Sequence, residues 1–487
     1  MKSPQEPGFL RSLTCFGGVI AIVIVGILSL GINLHTLLII ALVWVAGHSA
    51  ALGLRFDEIK AAMISGIEKG LSAFFIFFLI GVLIAALIEA GTIGSLIYYG
   101  VDVLHPTFFL PTGFVLCGLM SLATGTSWGT IATLGVVLMG LGGALGIPLP
   151  IVAGMVVSGA CFGDKTSPVS DTCVLASMSA GTDLYSHIKS MMYTAAPAGI
   201  ITFVAFLLIG LHYGGQAVST QELLDLKQHL AKEFVISWTS LLPLLVLLVL
   251  SVKRVPAEMS MLGSVLVGVV LAVVIQHRTT AEVLNSLNDG YKSNTGVKQL
   301  DSLLSGGGVQ SMMWTMSLAL IALSLGGILH RAGFVRVLMS RLLMRIKRTA
   351  SLVATTIGAG VVVNMSMGEA YLSIIFGGQI FKKSYEDHNL ENYMLSRNLE
   401  EGATLSTPLI PWTTSGAFIT GVLGMSPLQY GPWAILNYIN PLLSIALAYA
   451  GYGIFRRVQA GGSDPLTVQT HQEHQVYLAG KPDSVDN

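Results

Sequence analysis

One polar stretch inside an apolar span constrains this chain more than any other feature. Residues 158–177 read SGACFGDKTSPVSDTCVLAS and contain Asp164, Lys165, Pro168 and Asp171. An ionisable side chain at membrane depth costs about 3 kcal/mol, so such residues generally mark the path of an ion or a substrate. The stretch therefore predicts a membrane transporter.

Composition agrees with a membrane location. The 487 residues are 53% hydrophobic and only 11% charged, and their mean hydropathy is +0.73, whereas soluble domains carry about 25% charged residues. The formal net charge is zero, so nothing indicates a nucleic acid or another polyanion as partner. We expect an all-α polytopic membrane protein in contact with the lipid bilayer.

Apolar windows long enough to cross a bilayer recur along the chain at 14–31, 34–54, 71–90, 148–180, 190–213, 234–251, 256–276, 312–330, 398–424 and 431–454. Two further regions, 107–146 and 349–381, are apolar but interrupted by polar clusters. Because their arms look short, particularly 349–363, we predict two re-entrant hairpins whose tips lie at mid-membrane. The tip residues are Thr126, Ser127, Asn364 and Ser366.

Loop charges orient this arrangement. With the N-terminus in the cytoplasm, 19 of the 26 Lys and Arg residues, Arg397 among them, fall in cytoplasmic loops, as the positive-inside rule requires. Both termini are then cytoplasmic. The predicted units are a two-helix segment at 1–66, a first repeat at 67–213, a linker with two spans at 214–290, a second repeat at 291–457 and a disordered tail at 458–487.

An offset of 240 residues relates the two halves. It places Thr166, Ser167 and Pro168 opposite Ser406, Thr407 and Pro408, and Thr126 opposite Ser366. Asp164 then faces Thr404, and Glu369 faces Gly129. The pattern is typical of an inverted-repeat secondary transporter in which two broken helices meet near the midplane.

Oxygen-bearing side chains and broken-helix carbonyls suit a hard cation such as Na⁺. The predicted cation- and proton-binding residues are Asp164, Asp171, Glu369, Thr166, Ser167, Ser170 and Thr172, with Na⁺ at Asp164. The second broken helix adds Thr404, Ser406, Thr407 and Thr413. No cofactor is implied.

Three charged positions leave alternatives open. Lys165 either pairs with Asp171 or Glu369, or holds the anionic group of an organic substrate. Glu400 and Glu401 follow Arg397 at an expected helix start, where ion pairing or a favourable helix N-terminus would explain them.

Residues 158–177 resemble the signature of the NhaC family of Na⁺/H⁺ antiporters. That family signature is similar to SGAYFGDKxSPLSDTTNLA. GTSWGT at 125–130 looks like that family's hairpin motif GTSxGT. The resemblance implies an inverted-repeat ion transporter, a homodimer in the bacterial cytoplasmic membrane. Cys161, Cys173 and Val174 depart from the family's Tyr, Thr and Asn, which bears on cation or substrate choice.

Two functions follow, and a third is disfavoured. The first is Na⁺/H⁺ antiport by alternating access, in which the cation and the proton compete for Asp164. The alternative is Na⁺- or H⁺-coupled transport of a small organic acid or amino acid, since the family includes members resembling malate/lactate exchangers. An enzyme is disfavoured because no HExxH motif is present, and without a Walker motif an ion gradient must drive transport.

Overall fold

The computed structural model describes residues 6–103, 105–214, 220–253, 255–294, 301, 304–343 and 348–457. The tail expected at 458–487 lies outside these residues. The first half of the described chain is helical at α1 Phe9–Leu28, α2 Leu34–Ala50, α3 Phe56–Glu68, α4 Leu71–Glu89, α5 Thr92–Val103, α6 Pro106–Thr124, α7 Ser127–Ala144, α8 Leu149–Lys165, α9 Asp171–Ala180 and α10 Leu184–Gly214.

The second half continues with α11 Thr220–Glu233, α12 Leu242–Val252, α13 Ala257–Val274, α14 Thr280–Asp289, α15 Gly308–Arg331, α16 Phe334–Leu343, α17 Thr349–Met367, α18 Ala370–Asp387, α19 Asn392–Ala403, α20 Thr414–Leu423 and α21 Ile435–Tyr449. Strand pairing in the described residues amounts to two isolated bridges, Tyr291 with Gly306 and Leu390 with Arg456.

Eight helices of the described chain are long and apolar enough to cross a membrane, or nine if the bent pair 224–252 forms one span. The chain is therefore an all-helical multi-pass membrane protein, as its composition predicted. Many outward-facing side chains are large and apolar, for example Val43, Phe75 and Leu266, each 67% exposed. Such a surface is suited to lipid rather than to water.

Each of the two interrupted regions folds as a pair of helices joined by a tight tip. α6 is followed by Gly125 and α17 by Gly368, and both glycines adopt the left-handed conformation with φ of 70°. The next residue in each case, Thr126 or Glu369, caps the following helix with its side chain. Glycine adopts this conformation without the Cβ penalty, which lets the chain reverse in two residues.

The arms of these pairs are longer than the sequence indicated. α17 runs for 19 residues, about 28 Å at 1.5 Å per residue, so the expectation of a short arm at 349–363 is wrong. α6 and α7 are likewise 19 and 18 residues long. The hairpins therefore have two long arms each, and their re-entrant course stays a prediction.

Both expected breaks occur. The first helix stops at Lys165 and resumes at Asp171, and the second stops at Ala403 and resumes at Thr414. Pro168 and Pro408 lie inside these gaps, where proline can neither donate a backbone hydrogen bond nor accommodate the preceding helical turn. Ser170 and Thr413 cap the resumed helices by accepting hydrogen bonds from Cys173 N and Gly416 N.

The two halves correspond at a spacing different from the 240 residues used above. Ser170 and Thr413 are 243 residues apart, as are the two tip glycines. Residues with positive φ recur at 242 or 243 residues: Gly91 and Gly333, Gly125 and Gly368, Gly146 and Asn389, Gly181 and Gly424. At the tips this spacing places Thr126 opposite Glu369, so its earlier pairing with Ser366 is corrected.

The helices that resume after the breaks each contact the other half of the chain. α9, although it follows the first break, packs against α18 and α19 of the second half. α20 packs against α4, α7 and α15, and its Phe418 stacks on Trp128 with ring centroids 4.6 Å apart. The two breaks and the two tips therefore meet in the centre of the molecule.

Candidate functional site

A cavity of about 440 Å³ lies where the breaks and tips meet. Its wall includes side chains from both halves of the chain. The polar residues that line it are Lys69, Ser72, Thr124, Thr126, Ser127, Asp164, Lys165, Asp171, Thr172, Ser251, Glu258, Glu369, Tyr371, Thr404, Thr407, Thr414 and Ser415. Three carboxylates predicted from the sequence, Asp164, Asp171 and Glu369, are thus brought to one space.

Asp164 is the carboxylate best placed to bind a cation. It lies in the last turn of α8 and is 8% exposed. Its Oδ2 accepts a hydrogen bond from the Ser127 hydroxyl at 2.8 Å, while its Oδ1 is buried without a hydrogen-bond partner among the described residues. A buried acceptor of this kind requires a ligand, a proton or water.

Glu369 fastens the second tip to the second break. Its Oε2 accepts from the Thr414 hydroxyl at 2.6 Å, and its Oε1 accepts from Tyr371 N at 3.4 Å. Thr414 N also donates to the Gly368 carbonyl at 2.8 Å. Both carboxylate oxygens are therefore engaged within the protein, and Glu369 positions α18 and α20 at the cavity wall.

Asp171 differs from Asp164 in its surroundings. It begins α9 and is exposed. Its Oδ1 accepts from Thr172 N at 2.8 Å and its Oδ2 from the Tyr371 hydroxyl at 2.5 Å. With both oxygens bonded and water within reach, Asp171 joins the two halves at the edge of the cavity.

Lys165 contacts neither Asp171 nor Glu369. Its Nζ donates to the Glu400 carbonyl at 2.9 Å and to the Thr404 hydroxyl at 2.5 Å, and lies 3.9 Å from Glu400 Oε1. Lys165 is 2% exposed and Glu400 is fully buried. The lysine therefore joins the end of α8 to the end of α19, and both pairings expected from the sequence are wrong.

Seven of the predicted site residues do not line the cavity. These residues are Thr166, Ser167, Ser170, Asn364, Ser366, Ser406 and Thr413. Most bind backbone carbonyls: Ser167 donates to Leu122 O at 2.7 Å, and Asn364 donates to Ala403 O at 2.5 Å. They fix the geometry of the breaks, since polar backbone atoms freed in an apolar interior need such partners.

The three departures from the NhaC signature have different surroundings. Cys161 lines the cavity. Cys173 is fully buried, and its thiol contacts the carbonyl oxygens of Asp164 and Lys165 at 3.5 and 3.4 Å. Val174 is 37% exposed and lies away from the cavity wall.

The interpretation of Glu400 and Glu401 as residues of a helix start is wrong. α19 begins at Asn392 and ends at Ala403, so both glutamates lie in its last turn and are at most 1% exposed. Arg397, assigned above to a cytoplasmic loop, is 1% exposed within the same helix. The sequence could have identified these glutamates as candidate functional residues. Both fall inside the apolar window 398–424, where a carboxylate indicates function just as Asp164 does.

The lining of the cavity offers oxygen atoms of the kind that small cations prefer. A buried carboxylate with one free oxygen lies beside hydroxyl groups at the end of a broken helix, and hard cations prefer such oxygen ligands. Within the described residues no three His, Cys, Asp or Glu side chains converge as a metal site, so the remaining ligands would be hydroxyl and carbonyl oxygens. Together with the multi-span helical fold, this site defines a membrane transporter.

Comparisons with known proteins place the chain in a family. The model of the Na⁺/H⁺ antiporter family matches residues 159–452. The Na⁺/H⁺ antiporter NhaC of Alkalihalophilus pseudofirmus is 36% identical over 456 residues, which cover 93% of this chain and 98% of that protein. The chain belongs to the Na⁺/H⁺ antiporter family, and the resemblance to NhaC is confirmed; it is a secondary antiporter and not an enzyme.

Other relatives carry different names at similar identity. The malate-2H⁺/Na⁺-lactate antiporter of Bacillus subtilis is 32% identical over 93% of this chain and 96% of that protein. The arginine/ornithine antiporter ArcD of Halobacterium salinarum is 32% identical over 93% and 94%. The family therefore includes antiporters named for inorganic ions and others named for organic substrates.

Proposed function

We propose that the protein exchanges Na⁺ for H⁺ at Asp164. The observation that carries this proposal is the free Oδ1 of a buried carboxylate whose other oxygen is held by Ser127. Na⁺ and H⁺ are alternative ways of neutralising this oxygen, so both cannot occupy it together. Such competition couples the Na⁺ gradient to the H⁺ gradient, because one carboxylate binds either ion.

The two breaks supply the moving parts of the proposed cycle. Each half-helix beyond a break contacts helices of the opposite half, so a displacement between the halves changes access to Asp164 from the two sides. In this proposal the halves are inverted repeats, the termini are cytoplasmic, and the protein acts as a homodimer in a bacterial cytoplasmic membrane. Alternating access of this kind is typical of inverted-repeat transporters.

A second candidate is the coupled exchange of a small organic acid or amino acid. The cavity volume favours it, because about 440 Å³ is far more than a single Na⁺ occupies. Lys165 is a poor anion handle, since its ammonium group is already held by Glu400 and Thr404. The hydroxyl of Thr126, which lines the cavity and accepts a hydrogen bond from Gly129 N, is more available to donate to a substrate carboxylate.

Reconstitution into liposomes separates the two candidates. A Na⁺ gradient is imposed across vesicles that contain the purified protein and a pH dye in the lumen, first without any organic solute and then with labelled malate, lactate or arginine. A Na⁺-driven pH change without organic solute is the expected result. Uptake of a labelled solute without any such pH change would refute Na⁺/H⁺ exchange and support the second candidate.

A further inference from the structure

Three helices bury a set of polar side chains behind the cavity. α10, α19 and α21 pack against one another, and each contributes a polar stripe to their common interface. We call this set the polar core; it contains His187, Ser190 and Thr194 of α10, Ser396, Arg397, Glu400 and Glu401 of α19, and Asn437, Asn440 and Ser444 of α21. All ten residues are at most 1% exposed.

The sequence spacing of these residues shows that they lie along one face of each helix. The α10 and α21 members each follow an i, i+3, i+7 pattern, which places them along one side of a helix. A polar face buried at this depth is costly unless its groups are paired. Its retention in an apolar membrane helix therefore calls for a function.

Many atoms of the polar core are not paired within the protein. The core holds nine of the fourteen buried side-chain nitrogen and oxygen atoms that have no hydrogen-bond partner in the described chain. These nine atoms are His187 Nε2, Ser190 Oγ, Arg397 Nε and Nη1, Glu400 Oε2, Glu401 Oε2, Asn437 Oδ1, Asn440 Oδ1 and Ser444 Oγ. Donors and acceptors gathered in this way suit water molecules and mobile protons.

Glu401 is the central titratable group of this core. Its Oε1 accepts from the Thr194 hydroxyl at 2.5 Å and from Asn440 Nδ2 at 3.2 Å, whereas Oε2 is unpartnered. No Lys, Arg or His of the described chain lies within 4.0 Å of its carboxylate. A carboxyl group bonded only by neutral donors can gain or lose a proton without breaking an ion pair.

The charged and titratable groups around Glu401 come from several helices. Arg397 and Glu400 share its helix, and Lys165 of α8 and Tyr385 of α18 lie near it. His187 of α10 hydrogen-bonds to Ser396 through Nδ1 at 2.8 Å. α21 contributes the Asn440 amide and the Ser444 hydroxyl.

The polar core reaches the cavity at one end and a second point near the surface at the other. At one end Glu400 contacts Lys165 and the Thr172 hydroxyl, both of which line the cavity. At the other end Arg397 Nη2 donates to the Gly453 carbonyl at 3.0 Å, and Gly453 is partly exposed beyond the end of α21. This second point is absent from the cavity wall.

We propose that the polar core conducts the transported proton between the cavity and the surface at Gly453, and that Glu401 carries the proton along this route. The inference rests on the proposed Na⁺/H⁺ exchange and adds to it a proton path separate from the cation cavity. Glu401 Oε2 takes up the proton from one side of the core as an O–H bond forms, and releases it to the other side as that bond breaks. The cation does not enter this path, because Lys165 and Arg397 lie at its two ends.

Two transport modes measured on one variant test the proposal. Glu401→Gln keeps the size and hydrogen-bonding ability of the side chain but cannot carry a proton. In liposomes, Na⁺-driven lumenal pH change should fall at least about tenfold, because a positioned proton carrier contributes about that much or more. Exchange of ²²Na⁺ for unlabelled Na⁺ at equal pH, which moves no net proton, should stay near the wild-type rate.

Controls distinguish the possible outcomes. Glu68→Gln changes an exposed carboxylate on α3 and should behave as wild type, while Glu401→Asp should recover part of the pH change. Wild-type coupling in Glu401→Gln, or loss of both transport modes in a variant that melts like wild type, would overturn the proton path. Absence of Na⁺-driven pH change in the wild-type protein would overturn the proposed function itself.

Discussion

Replacement of Gly163 by alanine should disable the site through packing alone. Gly163 lies next to Asp164 on α8, where that helix crosses α6. A Cβ at this position would lie 2.1 Å from the Gly118 carbonyl oxygen and 2.6 Å from Leu122 N. Since real Cβ atoms essentially never approach other atoms within 3.0 Å, α8 and α6 must separate by at least about 0.9 Å, and such overpacking costs about 1–3 kcal/mol.

This separation acts directly on the proposed cation site. α6 leads through the tip at Gly125 into Ser127, whose hydroxyl is 2.8 Å from Asp164 Oδ2. A shift of about 0.9 Å along that line gives about 3.7 Å, beyond the range of a hydrogen bond. Misplacement of functional groups by about 1 Å can reduce a rate about 100-fold, and we expect a loss of Na⁺ transport of that order.

The measurement compares Gly163→Ala with Gly358→Ala, because a Cβ at Gly358 on α17 meets no atom within 4 Å. Thermal unfolding in detergent and ²²Na⁺ uptake into liposomes are recorded for both variants. Gly163→Ala should be less stable and nearly inactive, whereas Gly358→Ala should match the wild type. Equal stability and equal uptake in the two variants would refute the close contact between α8 and α6.

Ser127→Ala should raise the Na⁺ concentration needed for half-maximal transport about tenfold or more, because a hydrogen bond to a charged group contributes about 1.5–3 kcal/mol. Ser324→Ala, whose hydroxyl only bonds the carbonyl four residues earlier in its own helix, is the control, and equal half-saturation in both variants would contradict the role of Ser127. Asp183 precedes α10, and although burial alone would raise its pKa, hydrogen bonds from the Ser186 hydroxyl and backbone lower it from the ordinary 3.8. Its capping contribution of about 1 kcal/mol is therefore present at neutral pH and lost as the pH falls below 3.8. The unfolding temperature of Asp183→Ala should be lower than that of the wild type at pH 7, and the two should converge at pH 3. A difference in unfolding temperature that does not depend on pH would contradict this role.

The sequence predicted the structure best where proline or polar residues interrupt an apolar span. Pro168 and the charges beside it predicted a broken helix, and the polar clusters inside 107–146 and 349–381 predicted two pairs of helices with tips at the centre. These signals are local, since a proline or a left-handed glycine acts on its own backbone. The overall helical membrane architecture followed from hydropathy for the same reason.

Pairing between distant side chains could not be predicted in the same way. Lys165 meets Glu400 across 235 positions of sequence, and nothing near either residue indicates the partner. Asn364 and Ser406 looked like ligands, but in the structure they hold the backbone of the second break. Glu400 and Glu401 were misread because the start of α19 was placed six residues late, which moved them from the last turn to the first.

The offset between the two halves of the chain shows how a short sequence match can mislead. TSP at 166–168 and STP at 406–408 are 240 residues apart, but these segments lie in breaks of different length. The residues that begin the helices before and after each break agree at 243 residues: Pro148 with Glu391, and Ser170 with Thr413. Capping residues are fixed by backbone conformation, so they are a better guide to correspondence than similar loop residues.

Equilibrium Na⁺ binding to the purified protein tests the central claim most directly. In weakly buffered detergent solution, the wild-type protein should bind ²²Na⁺ saturably and release protons as it does so, because the cation displaces the proton from Asp164. Asp164→Asn, which has the same shape but neither a negative charge nor a titratable proton, should melt like the wild type and show neither saturable binding nor proton release. Undiminished Na⁺ binding with proton release in Asp164→Asn would contradict the assignment of the exchange site to Asp164.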